Sequence, residues 1–296
     1  MIAPRVALFG GIYSNYLALE AAIADARRRG VDAIYCLGDL GAFGPHPDRA
    51  IELLRRHDIA CVRGNYDDSI GNELADCQCG YADPRDNHFA QISYDYTLEN
   101  TSVENRRWLK SLPSEIRFTL GEGQVGNLSY GSRVLLCHGS PRRINEFLWE
   151  STTPTHFLDH LASEHNADVI CCTHTGLKWQ RELTGSGVVS GPRSPANEKS
   201  PAGNDSRPLR PGKFLNVGVL GRPENDGKTN VWYTLLSASD GAVSAPFIPV
   251  EYDHHRLAAE MRDQRLPDEF IETILTGCWT TCLEVLPAKE RRRGKM

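Results

Sequence analysis

Ala33-Ile34-Tyr35-Cys36-Leu37-Gly38-Asp39 is an apolar run that stops abruptly at Gly-Asp, after which Leu40-Gly41-Ala42-Phe43-Gly44-Pro45 turns the chain. The pattern predicts a buried strand that presents one carboxylate at its C-terminal end. The same design recurs along the sequence. Ile59-Ala60-Cys61-Val62 leads into Arg63-Gly64-Asn65, Val134-Leu135-Leu136-Cys137 into His138-Gly139, and Val169-Ile170-Cys171-Cys172-Thr173 into His174. In open α/β sheets, ligands and reactive groups gather outside the carboxyl ends of the strands. Asp39, His138 and His174 are metal-ligand types and Asn65 offers a carbonyl oxygen, so the expected centre is a metal site at a sheet edge.

Working outward, Arg5-Val6-Ala7-Leu8-Phe9 reads as a first strand. Ser14 or Asn15 can cap the helix after it, with Leu17, Ala21 and Ala24 on its buried face. Arg27-Arg28-Arg29-Gly30 ends that helix, and Pro47 starts the next, with Ile51 and Leu54 inward. This β-α-β-α-β opening predicts a parallel, doubly wound sheet. Residues 71–101 read as irregular. A helix is expected from Val103 to Ser111, and Arg117–Leu120 and Arg133–Cys137 as antiparallel neighbours. Residues 184–212, rich in Gly, Pro, Ser and Asn, read as a flexible surface loop. Lys213–Gly218, Val231–Leu236 and Val243–Val250 read as a β-meander finishing a second sheet. Helices near Leu257 and from Pro267 follow. The expected organisation is one domain over 1–250 and a helical extension over 251–296 packed on it.

The chain has 296 residues and a formal net charge of -5, so it offers no basic field and no nucleic-acid groove is expected. Its nine cysteines fall partly inside apolar runs and read as reduced and buried. With no signal-peptide pattern and no apolar run of membrane-spanning length, the expected location is the cytoplasm, with no membrane association. Cys77-x-Cys79 and Cys278-x3-Cys282 do not match the usual zinc-knuckle spacing, and the second pair would share a helix face.

Gly38-Asp39, Gly64-Asn65-x-Asp67, His138-Gly139-Ser140-Pro141 and Thr173-His174-Thr175, in that order, resemble the calcineurin-like metallophosphoesterases, in particular their small bacterial and archaeal phosphodiesterase-like branch. Asn216-Val217-Gly218-Val219-Leu220-Gly221-Arg222-Pro223 is similar to that branch's late Asn-Pro-Gly-Ser-Val-Gly-x-Pro motif. The likeness covers roughly residues 5 to 250. It implies a four-layer α/β/β/α sandwich of two mixed sheets, and two metal ions that activate a water for in-line attack on phosphorus. On that likeness Asp39 bridges the ions, and Asn65, His138 and His174 complete one ion's shell.

The other ion's shell departs from the pattern. The family's Asp-x-His after strand one is Gly11-Ile12-Tyr13 here, and its Gly-His-x-His is Thr173-His174-Thr175-Gly176. The losses fall on ligands private to one ion, so one divalent transition metal per chain (Mn, Fe, Zn or Ni) is expected rather than two. Arg142 and Arg63 are candidates for forked contact with phosphate, and Tyr13 and Asn15 for hydrogen bonds to it. A metal-activated water is the expected nucleophile, with Asp67, Tyr66 and His46 as candidate helpers. The expected function is hydrolysis of a phosphate-bearing small molecule, monoester or diester. The alternative is a weak or inactive relative that binds phosphate, nucleotide or a protein partner. Oligomeric state is left open.

Overall fold

The computed structural model describes residues 2–3, 5–125, 128–185, 211–239 and 242–292. Two six-stranded mixed sheets are present among them. One runs in the order Ile2–Ala3, Glu115–Val125, Leu128–Cys137, Val169–Cys172, Gly212–Val217, Lys178–Leu183. The other runs Ala242–Ser244, Val231–Ser239, Arg5–Phe9, Ala33–Cys36, Ala60–Cys61, with Phe247–Val250 also on Val231–Ser239.

Alternation along the strands builds the layers. In Arg5–Phe9, Val6 and Leu8 point between the sheets, where they meet Val134, Leu136, Val169, Cys171, Leu215 and Val217. Ala7 and Phe9 point the other way, under helices Tyr16–Arg28 and Pro47–Arg56. Likewise Leu135, Ile170 and Phe214 face outward beneath helix Thr155–Glu164. Because strand side chains have a period of two, each sheet has one face for its partner sheet and one for helices. The result is the expected α/β/β/α arrangement.

Several local expectations are corrected. Residues 71–101 contain helix Pro84–Glu99, capped by the Asp83 carboxylate on the amides of Arg85 (2.8 Å) and Asp86 (3.4 Å). Its buried face includes Ser93 and Thr97, and those hydroxyls blur the apolar period. They have a purpose: Ser93 Oγ accepts from the Phe43 amide (2.7 Å) and Thr97 Oγ1 from the Ala42 amide (3.1 Å). The expected meander is divided, because Gly212–Val217 lies parallel to Val169–Cys172 in one sheet while Val231–Ser239 lies antiparallel to Arg5–Phe9 in the other. Cys77 and Cys79 form a disulfide, against the expectation of wholly reduced thiols, whereas Cys36, Cys61, Cys137, Cys171 and Cys172 are buried and free. Cys278 and Cys282 share no helix face: helix Asp268–Thr276 ends at Gly277, whose φ of +71° and 2.1 Å approach of a built Cβ to the Lys228 carbonyl admit only glycine. Of the loop expected over 184–212, residues 186–210 lie outside the described residues.

The two sheets meet at one edge through the segments that leave them. Gly11 and Val219 form an isolated parallel bridge, and the amides of Leu220 and Gly221 donate to the Gly11 carbonyl (2.9 and 2.8 Å). Helices His254–Asp263 and Asp268–Thr276 and the segment after them close over this edge, with Phe270 and Ile274 in the same core as Phe43 and Phe89. No helix among the described residues is long and apolar enough to cross a membrane.

Candidate metal centre

Asp39 leaves its strand with φ +56°, and His174 leaves its own with φ +70°. A non-glycine residue in the left-handed region carries strain that surrounding structure must hold in place. At Asp39 the holder is Asp67. Its carboxylate accepts from the amides of Asp39 (2.8 Å), Gly64 (2.8 Å) and Leu40 (3.0 Å), so one buried side chain ties the Asp39 turn to the Asn65 turn. Burial and the neighbouring Asp39 charge push the Asp67 carboxyl up to about 6. The two turns touch so closely that a Cβ at Gly64 would stand 2.4 Å from Asp39 Oδ1, which is why glycine precedes Asn65.

Asp39 Oδ1 accepts from the Tyr66 amide at 3.1 Å, and Oδ2 lies 3.2 Å from His138 Nε2. Burial opposes the Asp39 charge, but the His138 and His174 rings and the Tyr66 amide outweigh it and hold the carboxyl below its ordinary range. His138 Nδ1 donates to the Leu37 carbonyl at 2.6 Å. That bond fixes the tautomer and turns the Nε2 lone pair of the neutral ring toward Asp39, the arrangement of metal-ligating histidines. Burial lowers the proton affinity of His138, but Asp39 and the Leu37 carbonyl raise it more. Without a cation the ring therefore keeps its proton to a higher pH than an ordinary imidazole.

Asn65 Nδ2 donates to the Cys77 carbonyl at 2.9 Å, which leaves Oδ1 buried and without a partner. His174 makes no hydrogen bond through either ring nitrogen and packs its ring on Phe147 (4.3 Å) and across His138 (5.2 Å). Burial first, and then His138, push its pKa down to about 3, so it is neutral with a lone pair free. The Asp39, His138 and His174 donor atoms all lie within 4.8 Å of one another. Buried donors of this kind cost free energy unless something satisfies them. Their number, types and closeness fit one divalent ion.

The positions of the missing shell are filled by side chains. A Cβ at Gly11 would come within 2.7 Å of the Tyr13 ring. A Cβ at Gly176 would come within 2.8 Å of the Trp279 indole and 3.2 Å of an Arg222 terminal nitrogen. Arg222, 5% exposed, stacks on Trp279 with its guanidinium carbon 3.6 Å from the ring centroid. It shares a cavity of about 40 Å³ with Asp39, Asn65, His174 and Tyr13. Phe43, Tyr66, Tyr81, Phe89 and Phe270 give the wall an aromatic part, and Ala42, Cys79, Ala90, Ser93, Thr281 and Cys282 complete it. Arg222 stood in the late motif of the sequence, at a position where any residue was allowed, so its part in the cavity was not read there.

Other expected site residues stand elsewhere. Arg142 is held by Glu146 and lies over Phe157 (4.9 Å), outside the cavity. Arg63 is 3.4 Å from Asp68 and is likewise not in the lining. His46 is 3.1 Å from Glu260 and caps no ligand set. Asn15 is structural: Oδ1 caps helix Tyr16–Arg28 through the Ala18 amide (3.0 Å), and Nδ2 donates to the Gly221 carbonyl (3.0 Å). Tyr66 lines the cavity, but its hydroxyl donates to the Ala90 carbonyl at 3.2 Å. Burial raises the Tyr13 phenol well above its ordinary range, which disfavours a phenolate ligand there.

Comparison with known proteins shows what the fold and the sequence resemble. The uncharacterized protein MJ0912 of Methanocaldococcus jannaschii is 25% identical over 279 residues, spanning 94% of this chain and all of that protein. The crystal structure of a metallophosphoesterase from Sphaerobacter thermophilus superposes with a TM-score of 0.61 at 23% identity, covering 93% of this chain and 99% of that one. That of the hypothetical protein PH1004 from Pyrococcus horikoshii superposes at 0.67 and 20% identity, covering 95% and 100%. The sequence profile of the calcineurin-like phosphoesterases matches residues 4–199, and the chain belongs to that family.

Proposed function

We propose that this chain hydrolyses phosphoric esters with one divalent transition-metal ion held by Asp39, Asn65, His138 and His174. The observation that carries the reading is the buried donor set of Asp39, His138 and His174, whose donor atoms lie within 4.8 Å of one another, beside an Asn65 Oδ1 that has no hydrogen-bond partner. A bound ion would supply Lewis-acid polarisation of a phosphoryl oxygen and acidify a water. Mn, Fe, Zn and Ni suit such mixed nitrogen and oxygen donors.

The chain's own residues do the positioning. Asp67 holds the Asp39 turn, the Leu37 carbonyl orients His138, and the Cys77 carbonyl orients Asn65, so the donors are set before any ligand arrives. The cavity of about 40 Å³ is small. At roughly 10–15 Å³ for each water-sized group, it admits about three such groups, the ion and its water included. The seven free cysteines, five of them buried, suit a reducing compartment, the cytoplasm, as the place of work, and the Cys77–Cys79 disulfide runs against it.

The test is metal content by plasma mass spectrometry on protein purified without chelator, beside hydrolysis of 4-nitrophenyl phosphate with Mn. The expected result is one ion per chain, lost together with hydrolysis in His138→Ala and His174→Ala. Hydrolysis that survives both substitutions refutes the reading. Protein that gains thermal stability from orthophosphate but forms no product is a binding module instead.

A further inference from the structure

Arg222 is a buried cation without an anion. Its Nε makes no hydrogen bond, and no carboxylate or carbonyl is bonded to its guanidinium among the described residues. Other arginines with low exposure behave differently: Arg133 is bound by both Asp168 oxygens. What surrounds Arg222 is aromatic, with Trp279 at 3.6 Å, Phe43 at 5.4 Å and Tyr13 at 5.8 Å from its guanidinium carbon. Ring faces ease desolvation of a cation but accept no directed N–H bond. An unpaired buried charge is costly, so a guanidinium retained in this state is set to receive an oxyanion.

Its place is built. Gly221 is tied to Gly11 and Asn15, Trp279 Nε1 donates to the Pro223 carbonyl at 2.7 Å, and the Asn225 carboxamide accepts from the Trp279 amide at 2.8 Å. The guanidinium is thereby fixed from both the strand-one turn and the C-terminal segment. It stands beside Gly176 and near Tyr13, the positions where ligands of a second ion are missing.

We propose that Arg222 is the phosphoryl-binding residue of this site and that its guanidinium takes over the charge-neutralising work of the absent second ion. The inference rests on the hydrolase reading above. In it, two N–H groups bond two non-ester oxygens of the substrate phosphoryl group, which also meets the donors around Asp39 in the same cavity. The water oxygen bonds to phosphorus, the bond from phosphorus to the ester oxygen breaks, one proton of that water passes to the leaving oxygen, and the products are orthophosphate and an alcohol. Arg222 exchanges no proton in the step.

The test compares wild type, Arg222→Met and Arg222→Lys, each loaded with Mn. Metal per chain is measured by mass spectrometry, orthophosphate affinity by titration calorimetry and kcat/KM with 4-nitrophenyl phosphate. Metal content is expected to stay at the wild-type value in all three. Arg222→Met is expected to bind orthophosphate roughly 10- to 100-fold more weakly, the range for losing charge-assisted hydrogen bonds, with a parallel fall in kcat/KM. Arg222→Lys keeps a point charge without the fork and is expected to recover part of the affinity. Should Arg222→Met fail to fold, the comparison rests on Arg222→Lys, and wild-type kcat/KM in that variant overturns the fork. Orthophosphate affinity and kcat/KM within about twofold of wild type in a folded, metal-loaded Arg222→Met overturn the proposal. A wild type that holds no metal yet binds orthophosphate through Arg222 supports the oxyanion site and overturns only the hydrolase reading.

Discussion

Asn15 joins two parts of the molecule that the sequence keeps 206 residues apart, and replacing it separates two effects. Its Oδ1 caps helix Tyr16–Arg28, and its Nδ2 holds the Gly221 carbonyl next to Arg222. Asn15→Ala removes both. Loss of an N-cap costs about 1 kcal/mol. Leaving a buried carbonyl without its donor costs about 1–3 kcal/mol, so the sum is about 2–4 kcal/mol. Asn15→Ser keeps a capping oxygen but is too short to reach Gly221, so it should lose only the second part, about 1–3 kcal/mol. Urea unfolding at neutral pH measures both, with the midpoint compared at constant slope. In the same proteins kcat/KM for 4-nitrophenyl phosphate should fall for Ala and Ser alike, because the freed loop carries Arg222. An Asn15→Ser protein with wild-type stability and wild-type kcat/KM would refute the reasoning, since it would show that the tether to Gly221 carries neither stability nor position.

Metal binding should displace one proton per ion at mildly acid pH, because Asp39 is already ionised and His174 already neutral, leaving His138 as the ligand that must deprotonate. Calorimetry in two buffers of different ionisation enthalpy reads that number, and a value near zero or two would contradict the assignment. In metal-free protein the raised His138 value means its stabilising pair with Asp39 is complete below the unperturbed 6.5 and fades as pH rises through the folded value; the lowered Asp39 value means its share is present above 3.8 and is lost as pH falls through the folded value. A pH series of urea midpoints should therefore peak between those limits and flatten when metal is added. Gly176→Ala should destabilise by about 2–4 kcal/mol, from strain at φ +79° and collision with Trp279; a neutral result would show that Arg222 and Trp279 leave room there. Trp279→Ala should cost about 3–5 kcal/mol. It should also weaken orthophosphate binding, whereas Trp279→Phe, which keeps a ring under Arg222, should restore most of both.

Strand–turn chemistry made much of this protein legible in its sequence. Apolar runs ending in Asp39, Asn65, His138 and His174 announced both the sheets and the donor set, because a strand end is a local event: hydrophobic burial stops where a polar residue and a glycine turn the chain. The metal-binding types gathered there are those whose donor atoms the fold brings together. Helix Pro84–Glu99 was not legible, because Ser93 and Thr97 serve the Asp39 turn instead of the apolar stripe. The splitting of the last strands between two sheets was hidden for a related reason. Pairing partners are chosen by packing across the whole chain, and alternation within a segment does not name them.

Arginine placement separates the two levels of information most clearly. Arg142 follows one ligand turn in sequence and Arg63 precedes another, and both looked placed for phosphate, yet Glu146 and Asp68 take them up within a few residues. Arg222 carries no local mark. Its place depends on Gly176, which leaves space beside it, and on Trp279, which packs there from the far end of the chain. The sequence by itself determined the Asp, Asn and His that end its apolar runs and the glycines at positions 11 and 176, since both are properties of residue type at a strand end. Only the tertiary structure decided which cation stands beside them, because charge neutralisation in a buried cavity is set by distance and packing, and residues far apart in the chain supply both.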